Sequence, residues 1–547
     1  MKKLLPLIFI LTGIFHLENA KAQNWEWAKK AGGTQNEGGY GVSNDAAGNI
    51  YVTGVFRDSI FKNGKKLISN GSDDIFVAKY NSAGTLKWTR QIGGNGADGY
   101  SLGSTTDASG NTYVIGSIYG SAYFGNTLVT GAGYNDIFLV KYSPSGNLLW
   151  VKTYGGSEND VGLGVAINSA GKIFISGYFY GTAHFDNITL TSAGIHDIFV
   201  AKCNGSGNIL WANRIGGTSY DNSASVAVDT LGNVYATGYF NNTATFSGSN
   251  TTLVSSGSDD IFIVKYNQSG SLQWATKAGG TGVYDIGNDI SLDHNLNVYI
   301  TGQFESTCTF GTTSLVSAGT QDIFIACLNN SGSFLWAVRA GSTLSDVGTG
   351  IRSDNAGNLY ATGWYNNNST FDGQTKTTVG GLDVFVARYS SSGSLVWFKS
   401  AGSENDDWSF AITQIGPDVC AITGRFQSDC YFDQTTLHSK GAYDFFVAKT
   451  AKSPGKEMIS LVSDPLLIYP NPVALNGSVF INMPESFQQA TFSIYDLQGK
   501  LVRTIFIEEE PGNDFQNISL NEIGAGVYVY QFTTSSKTET GKLCITE

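Results

Sequence analysis

The sequence has 547 residues, which is too long for one ordinary hydrophobic core and requires several units or one large closed repeat. Charged residues make up only 14%, aromatic residues reach 13%, and there are 68 glycines, a mixture that favours short strands joined by tight turns over helices. The formal net charge of -12 argues against a nucleic-acid partner, because phosphate binding requires a surface rich in lysine and arginine.

The first 22 residues have the features of a secretory signal peptide. Lysines at positions 2 and 3 precede an apolar stretch over 4–15, and Ala20-Lys21-Ala22 fits the small-x-small cleavage pattern. We therefore expect cleavage between Ala22 and Gln23. No later segment contains the ~20 apolar residues that a membrane-spanning helix requires, so the sequence predicts no transmembrane segment in the mature chain.

Seven tryptophans mark an internal repeat in the residues that follow. Each opens a similar phrase, such as WAKKAGG, WVKTYGG or WATKAGG, and their successive numbers differ by 61 to 63. A fixed period of this length is typical of repeat architectures. The seven residues are Trp27, Trp88, Trp150, Trp211, Trp274, Trp336 and Trp397.

Each period contains four segments that are predicted to be β-strands, here called a, b, c and d. In residues 222–280 they are SVAVD (225–229), VYATGYF (234–240), DIFIVKY (260–266) and LQWATKAGG (272–280). Their alternation and β-branched content favour strands. The a–b connection is an Asp-x-x-Gly-Asn turn, in which the aspartate accepts hydrogen bonds from backbone amides and the glycine takes a positive φ. In two repeats this turn is degenerate, at Asn168–Lys172 and Asp293–Asn297.

A period of about 60 residues with four strands predicts the blade of a β-propeller, and seven blades lie within the usual range. The repeat is displaced at its ends. A single strand d, Trp25–Gly33, precedes the first strand a, whereas the last repeat has strands a, b and c within Phe410–Lys449 and no strand d. The N-terminal strand can therefore complete the seventh blade and remove free sheet edges. A stacked β-solenoid is the alternative, but it does not need a displaced strand.

The repeats share the phrases DxxGNxYVTG, GxxDIFxxKY and SGxLxW. In these phrases the chain resembles the bacterial SBBP-type β-propeller repeats, over roughly residues 24–450. The resemblance implies an all-β fold with a seven-bladed propeller over 23–450. It implies little about activity, because a fold alone does not determine a function.

The repeat pattern stops after Lys449, and residues 451–465 are predicted to be a linker before a different module over 466–547. This module contains Tyr469-Pro470-Asn471-Pro472, FSIYDLQGKLV (492–502) with Gly499, Gly524-Ala525-Gly526-Val527-Tyr528 and Lys542-Leu543. These motifs, in this order, resemble the type A C-terminal sorting domain of the type IX secretion system. The resemblance implies a small Ig-like β-sandwich, the type IX machinery as partner, a bacterium of the Bacteroidetes type, and secretion or attachment to the outer cell surface.

A carboxylate recurs before every strand a. Either each carboxylate caps the backbone of its own interblade connection, or together they form an acidic ring that binds calcium or a polar ligand, because strand a lines the channel and hard cations take several oxygen ligands. A second carboxylate, in the Asp-x-Phe phrase of strand c, is predicted to be structural because all seven repeats contain it. The first set is Glu37, Asp98, Asp160, Asp221, Asp285, Asp346 and Asp406, and the second is Asp74, Asp136, Asp197, Asp260, Asp322, Asp383 and Asp444.

The connections between strands b and c are long and vary in sequence, in contrast to the tight a–b and c–d turns. In a propeller they share one face with the d–a connections, and binding residues concentrate in long loops on a rigid scaffold. We therefore predict a ligand face formed by 56–73, 118–135, 180–196, 241–259, 304–321, 365–382 and 427–443.

Catalytic and metal-binding motifs are scarce. Gly99-Tyr100-Ser101-Leu102-Gly103 matches GxSxG but lacks the helix that should follow it, and the histidines form no zinc pattern, so we predict no catalytic residue and no other cofactor. The pairs Cys308/Cys327 and Cys420/Cys430 could form local disulfides.

The sequence favours an exported binding or adhesion propeller for a glycan, matrix or protein ligand. Two alternatives remain open. One is a secreted polysaccharide hydrolase or lyase, because loops could assemble a carboxylate pair. The other is a structural component of the envelope.

Overall fold

A computed structural model describes residues 23–62, 65–99, 103–354, 356–452, 468–469, 472–482, 489–496, 500–508, 515–534 and 538–546, and these residues form strands and turns without a helix. The chain divides into two compact units, Met1–Ser453 and Pro454–Glu547. The predicted signal peptide with Ala22, and residues 453–465 of the predicted linker, lie outside the described residues.

The first unit contains the repeats. In chain order its strands are β1 (Trp25–Ala31), β2 (Glu37–Asn44), β3 (Ile50–Lys62), β4 (Lys65–Tyr80), β5 (Leu86–Gly94), β6 (Gly103–Thr106), β7 (Thr112–Phe124), β8 (Thr127–Tyr142), β9 (Leu148–Gly156), β10 (Asp160–Ile167), β11 (Ile173–Phe185), β12 (Ile188–Cys203), β13 (Ile209–Gly216), β14 (Asp221–Val228), β15 (Val234–Phe246), β16 (Thr252–Tyr266), β17 (Leu272–Gly280), β18 (Ile286–Leu292), β19 (Val298–Phe304), β20 (Thr307–Phe310), β21 (Thr313–Val316), β22 (Asp322–Leu328), β23 (Phe334–Gly341), β24 (Val347–Ser353), β25 (Leu359–Phe371), β26 (Gln374–Tyr389), β27 (Leu395–Ala401), β28 (Trp408–Gly416), β29 (Val419–Phe426), β30 (Asp429–Phe432), β31 (Thr435–His438) and β32 (Asp444–Thr450).

Antiparallel pairing groups these strands into seven blades within the described residues. Blades 1 to 4 are β2–β5, β6–β9, β10–β13 and β14–β17. Blade 5 is β18-β19-β22-β23, blade 6 is β24–β27, and blade 7 is β28-β29-β32-β1.

The first strands of the blades contact one another in a cycle. β2 contacts β6, β6 contacts β10, and the contacts continue through β14, β18 and β24 to β28, which contacts β2 again. A cycle of this kind encloses a central channel, and each blade packs its faces against its two neighbours. The architecture is therefore the predicted all-β propeller and not an open solenoid.

The N-terminal strand closes the ring. β1 is the outermost strand of blade 7 and pairs antiparallel with β32, placing Ala28 opposite Ala448 and Lys30 opposite Phe446. The Lys30 ammonium also forms an ion pair of 2.6 Å with Asp444 of β32. The predicted closure by the displaced strand is confirmed.

This closure can be tested by a disulfide between its two strands. We expect the double variant Ala28→Cys/Ala448→Cys to form one on oxidation, because directly paired antiparallel residues have Cα atoms about 4.5 to 5.5 Å apart, within disulfide reach. The bond should raise the free energy of unfolding by up to about 5 kcal/mol because it closes a very long loop. Mass spectrometry and melting curves with and without reductant measure both effects. The two single variants are the controls, and a double variant that stays reduced would contradict the closed ring.

The long b–c connections are not loops, and this prediction was wrong. In five blades, strands b and c continue past a kink as a β-hairpin, for example Ser59–Lys62 with Lys65–Ile68. In blades 5 and 7 the hairpin consists of separate short strands, β20 with β21 and β30 with β31. The sequence obscured this continuity because a residue with positive φ interrupts the alternation at the same place in every blade. These residues are Asp58, Gly120, Gly181, Asn242, Ser306, Asn367 and Ser428.

The hairpins join neighbouring blades. In blade 2, Ala122, Tyr123 and Phe124 pair with the end of strand β5 of blade 1. This contact explains the recurrent Gly-Gly, since a Cβ on Gly94 would lie 1.9 Å from the carbonyl oxygen of Ser121. The segments that were predicted to form a free ligand face therefore hold blades together.

The repeated tryptophans lie between blades. The Trp88 indole donates a hydrogen bond of 3.0 Å to the carbonyl oxygen of Pro144 in the c–d turn of the next blade. Its ring lies against Gly146 of that turn, which has φ +80°. A side chain at Gly146 would collide with the indole, so the glycine serves both the turn and the packing.

The Asp-x-x-Gly-Asn turns have the predicted geometry. Asp45 accepts hydrogen bonds from the backbone amides of Ala47 and Asn49, at 3.0 and 2.9 Å, and Gly48 has φ +73°. In the degenerate turn of blade 5, Leu296 occupies the glycine position and has φ +62°. Leucine in this region carries steric strain of about 1 to 2 kcal/mol.

We expect Leu296→Gly to raise the melting temperature. The substitution removes the steric strain of a leucine in the left-handed region. This gain exceeds the roughly 0.5 to 1 kcal/mol by which glycine destabilises the fold through its greater conformational freedom in the unfolded chain. The reciprocal change Gly48→Leu places the same strain in blade 1 and should lower the melting temperature. Denaturation curves of the three proteins test this, and two shifts of the same sign would refute the explanation.

The five cysteines of the first unit, Cys203, Cys308, Cys327, Cys420 and Cys430, are free and buried. The suggested local pairs are therefore not bonded. Cys308 lies in β20 and Cys327 in β22, whereas Cys420 lies in β29 and Cys430 in β30.

The second unit consists of two small sheets. Its strands are β33 (Ile468–Tyr469), β34 (Val473–Ala474), β35 (Ser478–Asn482), β36 (Gln489–Tyr495), β37 (Leu501–Glu508), β38 (Phe515–Ser519), β39 (Gly526–Thr534) and β40 (Thr538–Thr546). One sheet has the order β33-β35-β38 and the other β34-β40-β39-β36-β37. Phe492, Phe532 and Leu543 belong to its buried core.

The motif residues of this unit lie mainly at strand ends. Tyr469 is in β33, Gly526 begins β39 and Lys542 is in β40, while the Tyr528 hydroxyl donates to the carbonyl of Gly524 at 2.9 Å. Pro472 is in a bend, and Pro470, Asn471 and Gly499 lie outside the described residues.

Candidate ligand site at the channel mouth

The carboxylates before strand a are buried, and in most blades each binds backbone amides of two blades. Asp98 accepts from Gly94 of blade 1 at 2.7 Å and from Tyr119 of blade 2 at 2.8 Å. Asp221 repeats this with Gly217 and Asn241, at 2.9 and 3.1 Å. Backbone amides take the place of water around these carboxylates. This is the geometry expected if each carboxylate caps the backbone of its own interblade connection.

The structure places the predicted residues of this set as follows. Glu37, Asp98, Asp160, Asp221, Asp285 and Asp346 occupy the equivalent interblade positions and are all at most 2% exposed. In blade 7 the position belongs to Asp407, which accepts from Ser403 and Gln427 at 2.6 and 3.1 Å. The predicted Asp406 instead accepts from Leu382 at 3.0 Å and is only partly buried. The spacing from tryptophan gives the correct residue, because Asp407 follows Trp397 by ten residues, as Glu37 follows Trp27.

The two carboxylate sets meet in pairs at the blade interfaces. A Cβ on Gly155 would lie 2.4 Å from Asp136 and 2.7 Å from Asp160, so one carboxylate of each set lies beside this glycine. Within the residues that the structure describes, no three histidine, cysteine or carboxylate side chains form a group that could hold a metal ion.

Burial changes the ionisation of these groups. Removal from water raises the pKa of Glu37 to about 8 and those of Asp160, Asp221 and Asp407 to about 7. The neighbouring carboxylate raises each pKa further, whereas the amide hydrogen bonds lower it. Glu37 is therefore mostly protonated at neutral pH, and the three aspartates titrate near it.

We expect the propeller to lose stability as the pH rises from about 5 to about 8. In the folded protein the pKa of Glu37 is about 8, whereas its ordinary pKa is 4.5. Between these values the folded state binds more protons than the unfolded state, so this stabilisation is complete below 4.5 and absent above 8. Each such group contributes a slope of at most about 1.4 kcal/mol per pH unit.

Glu37→Gln tests this pH dependence. One Glu37 oxygen accepts from Gly33 at 2.7 Å, and the other has no partner, so glutamine can imitate the protonated acid. The variant should melt with a shallower pH dependence than the wild type and gain stability at pH 8. The exposed Glu404→Gln is the matched control and should leave the slope unchanged. A steeper slope in the Glu37 variant would contradict the assignment.

A β-bulge in strand a turns one residue of most blades into the channel. The bulge lies between Gly39 and Gly41 in blade 1 and between Ser409 and Ala411 in blade 7. The residues that line the axial cavity from these bulges are Tyr40, Leu163, Ala224, Asn288, Thr349 and Phe410. In blade 2 the equivalent residue lies outside the described range.

The channel ends differ in chemistry. One end opens into a cavity of about 540 Å³, lined by the bulged residues and by strand-b residues such as Tyr178, Tyr239, Gln303 and Trp364. The other end, a cavity of about 290 Å³, is lined largely by small residues such as Ser43, Ser104 and Thr106. The first end, here called the channel mouth, lies on the side of the d–a connections.

The channel mouth is where the repeats diverge. One position of strand b pairs with the residue that follows the interblade carboxylate in strand a. Its side chain differs in most blades, although strands c and d repeat closely. From blade 1 to blade 7 it is Val55, Ser117, Tyr178, Tyr239, Gln303, Trp364 and Arg425. Variable positions on a rigid scaffold are where binding residues concentrate.

Aromatic rings cover two arcs of the channel mouth. Tyr40 and Phe410 stack at 4.9 Å between blades 1 and 7. On the other side, the ring centre of His196 lies 4.8 Å from the ring centres of both Tyr178 and Tyr180. Burial lowers the pKa of His196 to about 4, which keeps its imidazole neutral.

Amide and hydroxyl groups lie between these rings. Asn222, Asn288, Gln303 and Thr349 line the same cavity. The Asn288 amide donates to the carbonyl of Gly348 at 2.9 Å, which orients its oxygen. Sequence reasoning included Tyr180 and His196 in the predicted ligand face, but it missed the strand-a and strand-b residues that line the cavity. The positions at which the repeats differ were available as a signal.

Comparison with known protein families finds one match in each unit. Residues 467–546 match the secretion system C-terminal sorting domain. The second unit is a type IX sorting domain. Residues 210–243, which contain β14 and parts of β13 and β15, match the SBBP β-propeller repeat, so the predicted resemblances are confirmed. The sorting domain indicates export by the type IX secretion system.

Curated relatives match the chain over part of their own length. An uncharacterized WD repeat-containing protein of Acanthamoeba polyphaga mimivirus is 25% identical over 530 residues, covering 78% of this chain and 38% of the relative. Regulatory protein FlaEY of Caulobacter vibrioides is 26% identical over 314 residues, covering 52% of this chain and 32% of the relative. The chain thus spans about a third of the length of these relatives.

Solved structures with similarity to the chain include two proteins of different function. PorZ, a surface component of the type IX secretion system of Porphyromonas gingivalis, is 12% identical with a TM-score of 0.29, covering 92% of this chain and 70% of its own. A fungal alcohol oxidase in complex with copper is 11% identical with a TM-score of 0.31, covering 81% and 96%. Both scores are low, so the propeller fold rests on the strand pairings of this chain.

The described residues contain no helix long and apolar enough to cross a membrane.

Proposed function

We propose that this chain is an exported binding protein, released or held at the outer cell surface, whose propeller binds an oligosaccharide at the channel mouth. The supporting observation is the combination of ring faces with amide and hydroxyl groups in one cavity of about 540 Å³. This volume lies within the range of about 300 to 1,000 Å³ that is typical of small-ligand sites.

A sugar ring matches this lining. It presents an apolar face of C–H groups and a rim of hydroxyls, and the two require different partners. Tyr239 and Trp364 offer apolar ring faces with a polar edge, while Asn222, Asn288 and Gln303 offer donors and acceptors for hydroxyls. Because the cavity is open at the end of a channel, it suits the end of a polymer as well as a short oligosaccharide.

Binding is favoured over hydrolysis by the position of the carboxylates. Hydrolysis of a glycosidic bond requires two carboxyl groups that face the substrate. Among the described residues that line the 540 Å³ cavity there is no aspartate or glutamate. The adjoining cavity beside Tyr40 is lined by Glu37, Asp73 and Asp98, but these carboxylates are bound by the Gly33 amide, by the Arg57 guanidinium, and by the Gly94 and Tyr119 amides respectively. The interblade carboxylates such as Asp221 and Asp346 are buried and bind backbone amides.

The first test is binding of the mature protein to an array of neutral and acidic oligosaccharides, followed by calorimetry. We expect Trp364→Ala to weaken binding of the best ligand at least about tenfold, because a central aromatic anchor contributes more than about 1.4 kcal/mol. Tyr123→Ala is the matched control, since Tyr123 is 49% exposed on a hairpin that pairs with Gly93 outside the channel. It should bind like the wild type.

Two results would overturn this proposal. One is the absence of binding to any saccharide on the array. The other is an equal loss for Trp364→Ala and Tyr123→Ala, which would place the site away from the channel mouth. Release of reducing ends from a bound saccharide would establish the hydrolase alternative instead.

A further inference from the structure

Arg425 is the charged member of the channel-mouth positions. It pairs with Trp408 in blade 7, as Tyr239 pairs with Asn222 and Trp364 with Val347 in their blades. Its guanidinium therefore stands where blades 3, 4 and 6 present the rings of Tyr178, Tyr239 and Trp364.

Aromatic rings surround this guanidinium. Its central carbon lies 4.2 Å from the ring centre of Trp408, 4.7 Å from that of Tyr443 and 5.6 Å from that of Phe410. Contacts with ring faces hold a guanidinium in one orientation and leave the N–H groups at its edge for a planar acceptor.

Arg425 has no hydrogen bond or ion pair within the part of the chain that the structure describes, and its Nε atom is buried without a partner. Although the Nε atom of Arg388 is likewise buried without a partner, every other described arginine has a counter-ion or an acceptor: five pair with aspartates, and two donate to backbone carbonyls. These are Arg57, Arg214, Arg339, Arg352 and Arg388, and Arg90 and Arg503. A buried donor without an acceptor costs about 1 to 3 kcal/mol, so its presence at a cavity points to a ligand.

A cavity of about 340 Å³ adjoins Arg425 and is lined also by Tyr40, which lines the 540 Å³ cavity as well. Three acidic residues line this smaller cavity. Both oxygens of Asp73 are bound by Arg57, at 2.8 and 2.7 Å.

The other two acidic residues do not neutralise Arg425 either. Asp98 binds the amides of Gly94 and Tyr119, and burial raises the pKa of Glu37 to about 8, so that it is uncharged at neutral pH. Arg425 is therefore left as a positive charge without a counter-ion, in a chain of net charge -12.

We propose that Arg425 binds the carboxylate of an acidic saccharide, a uronate, whose sugar rings occupy the channel mouth. This inference rests on the proposed saccharide function and names its ligand class. A carboxylate is planar and matches the guanidinium fork with two parallel hydrogen bonds. The shared residue Tyr40 makes the two cavities neighbours, so one ligand can place its ring and its charged group in them together.

The test compares acids with their uncharged forms. The full mature protein is titrated with short oligogalacturonates and oligomannuronates, with their carboxyl-reduced counterparts, and with a sulfated neutral galacto-oligosaccharide. We expect the acids to bind at least tenfold more tightly than the reduced forms. Arg425→Gln should remove this preference by weakening the binding of the acids roughly 10- to 100-fold, the effect of losing a hydrogen bond between charged groups. The binding of the reduced forms should not change.

Two further variants separate position from charge. Arg425→Lys keeps the charge but loses the planar fork, and should recover only part of the affinity. Lys376→Gln is the matched control, because Lys376 also lies over an aromatic ring, 5.2 Å from that of Phe398, but on a hairpin. It should retain the full preference for acids. Melting curves establish that each variant is folded.

The outcomes distinguish the two proposals. If neutral saccharides bind in a manner that Trp364→Ala weakens, but acids have no advantage or Arg425→Gln has no effect, the uronate inference fails and the proposed function stands. If no saccharide binds, both fail. Equal or tighter binding of the sulfated compound would overturn the assignment to a carboxylate.

Discussion

The propeller depends on buried carboxylates that accept backbone hydrogen bonds from two blades at once. Asp98 illustrates the arrangement, since Gly94 belongs to one blade and Tyr119 to the next. A carboxylate removed from water is unfavourable unless donors replace its hydration, and only the correct approach of two blades supplies both amides. The same closeness requires glycine at the end of strand d, where a side chain would meet a carbonyl oxygen.

Repetition and divergence separate structure from function in this chain. The interblade carboxylates, the tryptophans and the turn residues recur around the ring because every interface has the same geometry to satisfy. The end of the channel has no such constraint, since its side chains face solvent and not a neighbouring blade. Tyr178, Gln303, Trp364 and Arg425 occupy one structural position and have four chemistries. This is the pattern of a scaffold that carries an asymmetric ligand.

Much of the fold could be predicted from the sequence because its determinants are local. The tryptophan period, the Asp-x-x-Gly-Asn turns and the displaced N-terminal strand each follow from residue order. The hairpins could not be predicted, because their strands are largely polar and a positive-φ residue such as Asp58 breaks their alternation. The candidate site was missed for another reason. A bulge such as that at Tyr40 depends on register with the partner strand, which alternation alone does not specify.

The pairing of β1 with β32 has a consequence for the order of folding. Each of the first six blades contains only strands that are contiguous in the chain, so each can assemble as soon as its own segment is available. Blade 7 joins residues more than 400 positions apart, and contacts of such sequence separation form late and slowly. The strand synthesised first must remain unpaired until the last blade has been made, and the ring acquires its full cooperativity only in that final step.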